Sequence, residues 1–120
     1  MLFKVNSYTA LQAALERMCD GLLAQGMTKD SVFDCKLVAC ELLGNALKYG
    51  GGEASLLLQV QEQMVVLKVA SASFFALPEQ ITCSHLFAES GRGLFLVNTL
   101  CEGQIFTEED GIVAKIRIEK

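Results

Sequence analysis

The chain is short of the residues that most often announce a chemistry. It has one histidine and one proline in 120 residues, and its five cysteines (Cys19, Cys35, Cys40, Cys83, Cys101) include no C-x-x-C pair. An odd count without paired spacing argues against a disulfide framework or a zinc site, and favours reduced thiols acting as small core hydrophobes. No apolar run approaches the ~18 residues that a membrane span needs. The start, "MLFKVNSYTA", has neither the basic head nor the long apolar stretch of a secretory leader, so a cytoplasmic protein is expected. The ten Lys and Arg residues are scattered in a chain of net charge −4. With no basic run or basic-aromatic stripe, direct nucleic-acid binding is not expected. Internal repeats, low-complexity segments and Pro/Ser-rich linkers are absent as well, which leaves one domain over residues 1–120.

What is present is ample apolar material, 52% of residues, in two successive periodicities. "LFKV" reads as a short strand. Ser7 can cap a helix to about Gln25 whose apolar face holds Leu11, Ala14, Leu15, Met18, Leu22 and Leu23, with Gly26 as its stop. Thr28 can cap a second helix, with Asp30 near its positive end, through Val32, Phe33, Val38, Leu42 and Leu47 to Tyr49 and the glycines Gly50–Gly52. The period then shortens. "EASLLLQVQ" and "MVVLKVAS", separated by Glu62-Gln63, predict a hairpin. "SFFALPEQITCSHLFAES" has no clean period and reads as a long connection. "GRGLFLVNTLC" reads as a glycine-opened helix, and "GQIFTEEDGIVAKIRIEK" as two strands split at Glu109-Asp110-Gly111. The expected order, β-α-α-β-β-loop-α-β-β, is an α+β two-layer sandwich with helices on one face of a mostly antiparallel mixed sheet. Met18, Met27 and Met64 are expected to fill core gaps, and His85, in the long connection, is given no catalytic role.

Two stretches carry chemistry. In "ELLGNALKYGGG", Glu41 and Asn45 lie about 40° apart on a helix and point the same way. A solvated helix edge explains this pair on spacing alone. The chemical reading is that a carboxylate can deprotonate a nucleophile, an amide oxygen can ligate Mg²⁺, and Lys48 can neutralise phosphate. In "SGRGLFLV", Gly91 and Gly93 permit close backbone approach to an anion at a helix N-terminus, with Arg92 adding a charge-assisted contact.

In this order the two boxes resemble those of the histidine-kinase-like ATPase superfamily (the Bergerat fold), nearest to the small stand-alone anti-sigma serine/threonine kinases. "ELLGNALKYG" is similar to the family's N-box and "GRGLFLV" to its second glycine box, and the resemblance spans nearly the whole chain. It implies ATP and Mg²⁺ as cofactors, Glu41 as the catalytic base and Asn45 as the Mg²⁺ ligand. It also implies Lys48 and Tyr49 beside the phosphates, residues 74–90 as an ATP lid, and Gly91, Arg92, Gly93 and Leu94 around the phosphates. Implied partners are a sigma factor, a small antagonist protein that is phosphorylated, and a second copy in a homodimer.

The first glycine box departs from the family's D-x-G-x-G, reading "KVASASFFA". Ser71 stands at the position of the adenine-binding Asp, with Ser73 and Phe75 at the glycines and Phe74 between them. The lid segment holds no Lys or Arg, and Ile112 follows Gly111 where the family commonly has Thr. Two expectations therefore stand side by side: an ATP/Mg²⁺-dependent protein kinase, and a non-catalytic protein-binding module on the same fold.

Overall fold

The structure is a computed structural model that describes residues 1–49, 52–71, 97, 99–102, 104–108 and 111–118. Its elements are strand β1 (Leu2–Val5), helix α1 (Tyr8–Ala24), helix α2 (Lys29–Tyr49), and strands β2 (Ala54–Gln61), β3 (Met64–Ser71), β4 (Ile105–Glu108) and β5 (Gly111–Arg117). The strands form one sheet in the order β1-β2-β3-β5-β4, with all four pairings antiparallel.

Local chemistry explains where the helices begin and end. The Ser7 side chain accepts the Ala10 N–H at 3.1 Å, which starts α1. Gly26 closes it at φ +88°. There the Gly26 N–H donates to the Leu23 carbonyl at 3.0 Å and the Met27 N–H to the Leu22 carbonyl at 3.3 Å, the paired bonds of a Schellman motif. Met27 and Leu22 are both buried, as that motif's apolar clasp requires. Thr28 caps α2 by accepting the Ser31 N–H at 3.2 Å, and Asp30 and Lys48 occupy the ends where their charges oppose the helix dipole.

The expected hairpin forms in full register, from Ala54 opposite Ser71 to Gln61 opposite Met64, around Glu62-Gln63. The last two strands pair as Ile105 with Ala114 through Glu108 with Gly111. Alternation sends Leu56, Leu58, Val65, Leu67, Val69, Ile112, Ala114 and Ile116 to one side, where they are buried beneath the two helices. Both helices pack on that face, so the expected α+β two-layer sandwich is what the chain adopts. The other face of the sheet carries neither helix.

One apolar-face assignment differs, Leu23, and a second large apolar residue of the helices also faces outward. Phe33 is 57% exposed and Leu23 43% exposed. The buried stripe of α2 runs through Val32, Cys35, Val38, Ala39, Leu42, Leu43 and Ala46, and Phe33 stands about 100° from Val32, outside that arc. Cys35, by contrast, lies within the arc and is fully buried. Of the helix expected to open at Gly91, residues 97, 99 and 100 are described and are helical.

Candidate functional site

The C-terminal half of α2 holds the residues of interest. Leu42, Leu43, Ala46 and Leu47 anchor it to the sheet, which turns the intervening positions to its edge. There the Asn45 amide Nδ2 donates to Glu41 Oε1 at 3.3 Å. Helical i, i+4 spacing stacks the two side chains and makes this bond natural. Asn45 is 8% exposed, one of two buried polar residues in the described part of the chain, and Glu41 is half-buried. With Nδ2 held by the carboxylate, the amide oxygen is the group Asn45 can present elsewhere. An amide oxygen suits Mg²⁺, which takes one or two protein oxygens and completes its shell with water and phosphate. The donor set therefore fits Mg²⁺ on chemistry, although among the described residues no three His, Cys, Asp or Glu side chains gather as a metal site.

Lys48 lies exposed two turns beyond Glu41. Tyr49 is the last helical residue. Between these groups stands Gly44, within the same arc of about 100°. A Cβ added there would meet nothing within 4 Å among the described residues. The polar edge of α2 thus has a bare patch of backbone along one margin, which the sequence reading did not single out. A glycine in the interior of a long helix, where it costs stability, was the available signal.

Ser71 is placed differently. It is the last residue of β3, paired with Ala54, and its side chain is half-buried on the helix-bearing side of the sheet. It lines an open cleft of about 450 Å³ at the ends of β1, β2 and β3, together with Lys4, Asn6, Glu53, Ser55 and Ala70. Glu41, Asn45 and Lys48 do not line that cleft. The described residues thus hold the carboxylate–amide pair and the Ser71 cleft as separate features. Gly91, Arg92, Gly93 and Leu94, like the lid segment and His85, lie outside the described residues.

Several thiols and one carboxyl among the described residues have raised pKa values, and one of them, Cys40, adjoins Glu41. Burial, with the neighbouring Glu41 carboxylate, raises the Cys40 thiol pKa against the opposing pull of Lys36. Cys35 and Cys101 are unbridged and buried, and burial pushes both up to about 12. Neither is a thiolate nucleophile at neutral pH. Asp34 is raised by partial burial and by Asp30 one turn away. No helix among the described residues is long and apolar enough to cross a membrane. No protein-family model matches the chain, and no curated protein matches it either.

Proposed function

We propose that the chain is an anti-sigma-type regulatory protein of the bacterial cytoplasm that transfers the γ-phosphoryl group of ATP to a serine or threonine of a small antagonist protein. The observation that carries this reading is the Asn45–Glu41 hydrogen bond on the edge of α2. It supports the reading because it orients an amide oxygen and a carboxylate side by side, beside a bare backbone patch and a cation. Bound Mg-ATP supplies the phosphoryl donor and neutralises its charge. In the transfer, the substrate hydroxyl oxygen forms a bond to the γ-phosphorus as the bond to the β-phosphate oxygen breaks, and ADP leaves. Glu41 takes the hydroxyl proton on a carboxylate oxygen. Asn45 offers its amide oxygen to Mg²⁺, and Lys48 adds positive charge near the phosphates. Tyr49 and residues 91–94 enter by family resemblance.

A second reading has its own observation. At the end of β3, where the family carries an adenine-binding carboxylate, this chain has the neutral hydroxyl of Ser71. That favours a binding module which keeps the fold and a protein-facing surface without using nucleotide. Calorimetric titration with ATP and ADP, with and without Mg²⁺, separates the two. The kinase reading expects Mg²⁺-dependent binding that Asn45→Ala removes, while Glu41→Ala keeps binding and lowers transfer by about 10²–10⁴. No nucleotide binding by the wild-type protein would refute the kinase and leave the module.

A further inference from the structure

The sheet face opposite the helices carries an ordered row. Strand register sets Leu2, Leu57, Lys68, Val113 and Phe106 side by side, one from each strand. Leu2 is 60% exposed, Phe106 49% and Leu57 39%. Val113 is nearly buried and Lys68 half-buried, so the row is a trough, with a shallow groove of about 300 Å³ at its centre. Scattered exposed apolar residues need no explanation, but four aligned in one row of five strands around a single lysine do.

The charges on this face are mostly positive. Lys4 flanks the row on one side, and Lys115 and Arg117 on the other, with Lys68 within it. The Lys115 ammonium lies 5.9 Å from the centre of the Phe106 ring, a cation–π contact. Among the described residues, Lys4, Lys68, Lys115 and Arg117 fall on this face by strand register, and Glu108 is the one acid at such a register position. This concentration runs against the net charge of −4.

We propose that this open sheet face docks an acidic amphipathic helix of another protein. Five strands at about 4.8 Å spacing span roughly 20 Å, the length of a helix of about 13 residues. Apolar side chains at i, i+3/i+4, i+7 and i+11 would cover Leu2, Leu57, Val113 and Phe106. Acids on both flanks would meet Lys4 and the Lys115–Arg117 pair, and one acid facing Lys68 would set the register. A second copy of the chain fits poorly, since it would set four cations against four cations. A nucleic acid fits poorly too: four of the five residues in the row are apolar, and the chain as a whole carries a net charge of −4. A bilayer calls for apolar groups that protrude together, and the centre of this row, at Lys68 and Val113, is recessed. The inference does not depend on nucleotide binding.

The test places a photo-crosslinking benzoylphenylalanine at Leu57 in the full chain, inside cells of its own source, and sequences the crosslinked peptide. The expected capture is a segment of a different protein with helical apolar spacing and flanking Asp or Glu. Lys68→Glu with Lys115→Glu should cut the yield at least about tenfold, and Lys68→Gln with Lys115→Gln should cut it less. Circular dichroism checks that each variant is folded, and the glutamine pair decides if the glutamate pair is not. A synthetic peptide of the captured segment should bind the purified protein and lose affinity as salt rises. Capture of a second copy, of this chain's own residues 72–96, of nucleic acid, of lipid or of a basic segment would overturn the proposal. So would crosslinking no stronger than at Glu16 on α1, or a yield that ignores the charge changes.

Discussion

Gly44→Ala should make this protein more stable and a worse nucleotide binder. Gly44 sits in the interior of α2, five residues before Tyr49, and an added Cβ meets no described atom within 4 Å. The substitution therefore carries no packing penalty from those residues, and the helix-propensity difference decides the sign. Alanine is better than glycine there by about 0.8–1.0 kcal/mol. For a chain of this size that is a rise of about 4 °C in Tm. With a urea m-value of about 2 kcal/mol/M, it is a shift of roughly 0.5 M in the midpoint at constant m. Circular dichroism at 222 nm during urea unfolding measures it. An unchanged or lowered midpoint would refute the claim that the site is open. The binding arm is separate: Gly44 lies between Glu41, Asn45 and Lys48, so a methyl group there would hold a phosphate away from the backbone. Calorimetry with Mg-ADP should then show weaker binding in the more stable protein. Unaltered affinity in a stabilised variant would sink the close-approach argument while leaving the fold argument intact.

The same substitution at Gly111 should have the opposite sign, since a Cβ there would be driven into the Val69 carbonyl oxygen of the neighbouring strand. Gly111→Ala should cost about 1–3 kcal/mol, read as a lower urea midpoint, and wild-type stability would disprove the clash. Burial raises the Cys35 and Cys101 thiols to about 12, so the unfolded chain releases those protons first as pH rises. Their contribution to stability is whole below about pH 9 and should be lost progressively toward pH 12, which urea midpoints across that range would show. A midpoint flat from pH 9 to 11 would contradict it. Ser71→Asp should favour ADP over GDP by up to about tenfold, because a carboxylate accepts the adenine amino group more strongly than a hydroxyl does. Equal affinities for the two nucleotides in the variant would refute the position given to Ser71.

The caps, stops and strand pattern were legible because their causes are local. Ser7 and Thr28 accept the N–H groups three residues on, Gly26 turns the chain at positive φ, and Glu62-Gln63 joins two runs of alternating apolar residues. None of this requires a distant contact, so sequence sufficed. The Glu41–Asn45 pair was legible for the same reason: four residues on a helix is one turn, and the geometry of the turn brings the side chains together.

Tertiary structure alone decided which apolar residues were core. Phe33 and Cys35 both lie on α2, yet the small thiol is buried and the large ring exposed, because the sheet meets the helix along a single arc. It also decided that Ser71 lines a cleft apart from Glu41 and Asn45, since the end of β3 is placed by its pairing with Ala54 rather than by anything near it in sequence. The open-face row is the plainest case. Leu2, Leu57, Lys68, Val113 and Phe106 are spread across more than a hundred positions, and only strand register sets them side by side. Alternation in each strand states that some face is shared. Which residues share a row depends on how five strands align, a nonlocal choice made by burying the other face under two helices.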